Sequence, residues 1–132
     1  MGGMTIHRSN PGSDLTGTII RLAMRVHRTL GPGLLESIYL QCLCWELKHA
    51  GVRFTQEVPL PVVYRDMRLE RGFRADLIVD DSVLVELKAV DRILPVHKAQ
   101  TLTYLRLSGC PVGLLMNFNV ALLRHGLHRV IL

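Results

Sequence analysis

The chain reads as an α/β protein, a mixed central β-sheet flanked by α-helices. Three observations predict this. Two strand-like runs share residues 72–90, joined by the turn formers Asp80, Asp81 and Ser82. Three other segments, 14–29, about 34–50, and 95–108, carry apolar residues at helical spacing. The last of these lies between the strand ending near Val90 and the apolar run 111–118, and a helix between two strands suggests a parallel crossover. At 132 residues the chain is long enough to bury a core as one domain, assigned to 14–132.

Residues 1–13 have no periodicity and read as a disordered N-terminal segment. Ser13 or Asp14 can cap the first helix, whose core stripe is Leu15, Ile19, Leu22 and Val26, with Arg21, Arg25 and Arg28 on the polar side. Gly31-Pro32-Gly33 ends it. The second helix closes at Gly51, the usual position for a C-terminal glycine. Glu36, Tyr39 and Leu43 follow one face of it, while Ile38, Cys42 and Trp45 form a second stripe that reads as core. A strand over 54–58 runs into Pro59 and Pro61, which place it at an edge or a kink. A hairpin is expected around Asp66. Pro95 suits the first turn of the third helix, on which His97, Gln100 and Tyr104 share a polar face. The run 111–118 is apolar throughout, as in a strand buried on both sides. Two short strands, 120–124 and 127–132, are expected to close the chain around His125-Gly126.

Composition narrows the function classes. No apolar run approaches the roughly 18 residues of a membrane span, and the first dozen residues carry no hydrophobic segment, so a cytoplasmic protein that does not enter the membrane is expected. Cys42, Cys44 and Cys110 suggest no disulfide framework, and the histidines have no metal-ligand spacing. The net charge of +5 favours polyanions, nucleic acid among them, although the basic residues are scattered.

The 72–90 pair concentrates the chemistry. With period-two alternation, Asp76 shares a face with Arg74 and Ile78, and Ala75, Leu77 and Val79 point the other way. Glu86 and Lys88 share a face opposite Val83, Val85, Leu87 and Ala89. A turn centred on Asp81 sets Asp76 against Glu86. Like charges so placed destabilise a sheet, and a divalent cation between them is one reason to keep both.

Several stretches together resemble one family. Residues 33–39, GLLESIY, fit Gly-x-x-Glu-x-x-Tyr, and FRADLIV, VELKAV, PVHKAQTLTYL and VGLLMNF follow in order. The chain is similar over about 15–132 to the GxxExxY protein family, a branch of the PD-(D/E)XK nuclease superfamily. That resemblance implies a restriction-endonuclease-like core and a metal-dependent phosphodiesterase acting on DNA or RNA. It assigns Asp76, Glu86 and Lys88 as the catalytic carboxylates and lysine, with Gln100 and Tyr104 as helix partners. It implies Mg²⁺ (or Mn²⁺) held by Asp76, Glu86 and the Leu87 carbonyl, with Glu36 joining directly or through water. Arg74 and Arg71 are expected to meet substrate phosphates. The residue before Asp76 is Ala75 where the superfamily motif has proline, a position without a functional group. The alternative is a catalytically weak nucleic-acid-binding or regulatory protein on the same fold. A homodimer is compatible with cutting two strands, but the sequence names no interface.

Overall fold

The computed structural model describes residues 13–132. The expectation for 1–12 lies outside the described residues. Helix α1 spans Ser13–Leu30 and α2 spans Glu36–His49. Strands β1 (Phe54–Tyr64), β2 (Met67–Val79) and β3 (Val83–Lys88) follow, then α3 (Pro95–Ser108), β4 (Val112–Asn117) and β5 (Leu127–Ile131). The strands lie in sheet order β1-β2-β3-β4-β5. Only β3 and β4 run parallel, and α3 makes the crossover between them. The mixed sheet is therefore the expected one.

Each face of the sheet has its own core. Ile19, Leu22 and Val26 of α1 and Tyr39, Leu43 and Leu47 of α2 pack with Leu77, Val79, Val83, Val85 and Leu114. On the other face Leu105 and Tyr104 of α3 pack with Leu60, Ala75, Leu84 and Val130. All six residues of β4 are buried, because helices cover both its faces.

The β2–β3 turn follows the expected register. Leu77 pairs with Val85, Ile78 with Leu84 and Val79 with Val83. Asp80 and Asp81 sit at φ 50° and 52°, a left-handed conformation that Asp tolerates better than most residues. The hairpin around Asp66 also forms, with Tyr64 opposite Met67.

Four expectations need correction. Strand β1 continues through Pro59 and Pro61 instead of stopping at Val58; it is an edge strand, where a missing N–H costs no ladder bond on the open side. Ala75 joins the α3 core while Leu77 joins the α1–α2 core, so the alternation of β2 breaks at Asp76. Opposite this break Glu57 has φ 54°, and pairing between β1 and β2 skips the Glu57–Asp76 position. Ile38 and Trp45 are 39% and 56% exposed, since the core stripe of α2 is Tyr39, Leu43 and Leu47. Residues 120–124 form no strand. They lead into a short 3-10 turn, Leu123–Gly126, that brings the chain back for β5 to pair with β4.

That turn depends on Gly126, where an added Cβ would stand 2.1 Å from the Asn117 carbonyl oxygen. Asn117 is buried and fastens the segment after β3: its Nδ2 donates to Val90 O (2.9 Å) and its Oδ1 accepts from Val90 N–H (3.1 Å). Gly126→Ala is expected to cost about 1–3 kcal/mol, as overpacking against fixed backbone does, read as a lower urea midpoint at unchanged slope.

Candidate active site

The site forms where β2 leaves β3. Pairing stops at Leu77–Val85, one residue before Asp76 would meet Glu86. The backbone N–H groups beyond that point need acceptors, and carboxylates supply them. Asp76 N–H donates to Glu86 Oε1 (2.8 Å), and Leu87 N–H donates to Asp76 Oδ2 (2.8 Å). Glu36, the first residue of α2, lines a cavity together with Asp76. Asp76 and Glu86 are thus not a ladder pair: Glu86 meets the backbone of Asp76, and Asp76 meets the backbone of Leu87, the residue after Glu86.

Glu36 reaches this point because of the loop before α2. Gly31 and Gly33 have φ 71° and 95°, conformations open to glycine. The Tyr39 hydroxyl donates to Gly31 O (2.6 Å) and accepts from Leu34 N–H (3.1 Å). Its ring stacks on Phe118 at 4.6 Å. Gly33, Glu36 and Tyr39 therefore work together locally. The glycine permits the turn, the tyrosine staples it from the core, and the glutamate starts the helix beside the sheet.

The electrostatics are those of crowded, desolvated acids. Burial, then the charge of Asp76, pushes the Glu86 carboxyl up to about 8. Burial also raises Asp76, although the Leu87 N–H and the Lys88 and Arg74 charges pull it back. Glu36 is raised by burial and by Asp76. Lys88 is the cation that offsets all three. Its Nζ lies 3.4 Å from Gln100 Oε1 on α3. Tyr104 is buried against Phe73, with its hydroxyl raised by burial and by Glu86 and Asp76. Of the polar face expected on α3, His97 caps its own helix by accepting the Leu94 N–H at 2.9 Å, and Gln100 alone touches Lys88.

A cavity of about 400 Å³ opens onto the cluster, lined in part by Glu36, Glu57, Arg74, Asp76 and Leu87. A second, of about 470 Å³, adjoins it through Glu57 and Arg74 and continues to Arg71 and Phe73. Glu57 was not a sequence candidate, because a glutamate on an edge strand reads as a solvated charge. The visible signal was the polar pair Gln56-Glu57 breaking the alternation. Its Oε2 stands 3.7 Å from Arg74.

The donor set suits a hard divalent cation. Asp76 and Glu86 each commit one oxygen to backbone, which leaves each a second oxygen, and Leu87 lines the cavity together with Asp76. Mg²⁺ is commonly held by one or two carboxylates, with water and substrate phosphate completing its shell. Among the described residues no three His, Cys, Asp or Glu side chains stand close enough to hold an ion by themselves.

A family model of the PD-(D/E)XK nuclease superfamily matches residues 13–130. The chain belongs to that superfamily, and its five-stranded mixed sheet with three helices is consistent with the restriction-endonuclease-like fold. No curated protein and no solved structure matches it significantly. No helix among the described residues is long and apolar enough to cross a membrane.

Proposed function

We propose that residues 14–132 form a metal-dependent nuclease of the GxxExxY type, hydrolysing nucleic-acid phosphodiester bonds. The observation that carries this reading is the meeting of Asp76 and Glu86 at the gap between β2 and β3, each with one oxygen on a backbone N–H, with Glu36 lining the same cavity as Asp76 and Lys88 held by Gln100. Asp76, Glu86 and the Leu87 carbonyl would hold Mg²⁺ or Mn²⁺, with Glu36 joining directly or through water. Such an ion, when bound, polarises a phosphoryl oxygen and lowers the pKa of a coordinated water.

The remaining work falls to the chain. Lys88, steadied by Gln100, orients the attacking water and offsets charge building on the phosphate. Tyr104, packed against Phe73 in the α3 core, anchors the helix that carries Gln100. Arg74, and beyond it Arg71, neutralise neighbouring phosphates along the two cavities. The burial of Glu86 keeps water from screening these charges.

Calorimetry with Mn²⁺ on the wild type and Asp76→Asn tests this. Asparagine can still accept the Leu87 N–H, so the fold is expected to survive while metal binding falls below detection. Labelled DNA and RNA are then expected to be cut by the wild type alone. The competing reading is a protein that keeps this fold and binds nucleic acid but cleaves little. Tight nucleic-acid binding with no cleavage in Mn²⁺ would establish that instead.

A further inference from the structure

Beyond Leu60 and Phe73 the β1–β2 hairpin leaves the body of the protein. Strand β3 pairs with β2 only at residues 77–79, and residues 63–71 are exposed without interruption. What projects is a two-stranded ribbon closed by the Arg65-Asp66 turn. Gly72 lets its two strands cross closely, since a Cβ there would lie 2.4 Å from Val62 Cγ2.

The ribbon surface is unusual in both its parts. Val63, Tyr64 and Met67 are 61%, 60% and 52% exposed at its tip, where no other element covers them. Arg65, Arg68 and Arg71 stand among them against Asp66 and Glu70. Arg68 is partnered by Glu70, and the Arg65 guanidinium lies 5.8 Å from the Tyr64 ring centroid. The base of the ribbon is continuous with the carboxylate site, because Arg71 and Arg74 line the cavity that adjoins it.

We propose that this ribbon enters the major groove of B-form duplex DNA and makes duplex DNA the substrate; the inference rests on the nuclease reading above. A major groove about 12 Å wide admits a two-stranded ribbon. Six residues from Met67 to the base span about 20 Å at strand rise, enough to reach the groove floor about 8.5 Å deep. Arginines suit phosphates and guanine edges, and exposed apolar side chains suit the thymine methyl group. Arg74 and Arg71 then hold the backbone that leads into the site. The deep, narrow major groove of duplex RNA excludes the same ribbon.

Fluorescence anisotropy on the full chain in EDTA separates binding from cleavage. The probes are a labelled DNA duplex, an RNA duplex of the same sequence and the DNA single strand. The DNA duplex is expected to bind at least about tenfold tighter than the RNA duplex, given that exclusion. Arg68→Ala and Arg71→Ala are each expected to reduce the slope of log affinity against log salt by about one. Tyr64→Ser with Met67→Ser is expected to weaken DNA binding at unchanged slope, while Arg53→Ala and Arg106→Ala leave it as in the wild type. Equal affinity for duplex RNA, or ribbon variants that bind DNA normally, would overturn the inference and leave the nuclease reading intact. So would a concentration-dependent dimer that the ribbon variants dissolve with DNA binding unchanged, since the ribbon would then seat a second copy. Failure of every probe to bind would also overturn the inference, while the cleavage assay in Mn²⁺ decides the nuclease reading separately.

Discussion

Glu86→Gln is expected to stabilise the metal-free protein at pH 8 while abolishing metal-dependent cleavage. The Glu86 carboxyl rises from its ordinary 4.5 to about 8 on folding, through burial and the neighbouring Asp76 charge. A raised carboxyl binds its proton more tightly in the folded state. Its contribution is therefore fully present below pH 4.5 and is lost as the pH climbs to about 8. Asp76 and Glu36 shift in the same direction and add to the loss. Melting curves of the wild type in EDTA should therefore fall between pH 5 and pH 8. A shift of this size corresponds to a few kcal/mol. Glutamine keeps an oxygen for the Asp76 N–H but carries no charge, so its curve should be flatter. Adding Mn²⁺ at pH 8 is expected to restore the wild type and leave Glu86→Gln unmoved. A variant as sensitive to pH as the wild type would place the destabilising charge elsewhere.

Lys88→Met is expected to slow single-turnover cleavage by about 10²–10³-fold, the usual cost of removing one preorganised charge from a reaction centre. Methionine preserves much of the side-chain length at the end of β3, so the fold and duplex binding should change little. Gln100→Ala, which frees Lys88 without removing it, should cost about tenfold, since a hydrogen bond to a charged group is worth about 1.5 kcal/mol at the low end. Metal affinity should move the other way in Lys88→Met, because the cation that competes for the three carboxylates is gone. A rate loss explained wholly by weaker DNA binding would make Lys88 a phosphate contact instead.

Much of this was readable from residue order. The turn formers Asp80 and Asp81 fixed the β2–β3 register, and period two then put Glu86 and Lys88 on one side of β3. Glycines and prolines marked the ends of all three helices. The crossover through α3 followed from the helix lying between two strands. What escaped was produced by interactions between distant segments. The break in alternation at Asp76 depends on the backbone of Glu57, nearly twenty positions earlier, at φ 54°. No local pattern announces that β2 will leave β3 there, so the carboxylate-to-amide contacts were invisible, although the residues making them were not. Ile38 and Trp45 have the composition of a core stripe, yet α2 has only one side to bury. Residues 120–124 have strand composition, but the approach of Gly126 to Asn117 turns the chain before a strand can form.

The carboxylates proposed to serve the chemistry also finish the sheet. Two amides, those of Asp76 and Leu87, find acceptors in Glu86 and Asp76 and not in a neighbouring strand. Reactivity and architecture are thus drawn on the same side chains. A lineage abandoning catalysis could not discard these side chains for alanine without unfastening the junction of β2 and β3. It would have to pass through amides, asparagine or glutamine, which keep the acceptor and give up the charge. An inert descendant of this domain would therefore carry the candidate site in outline, legible as Asn or Gln at those two positions.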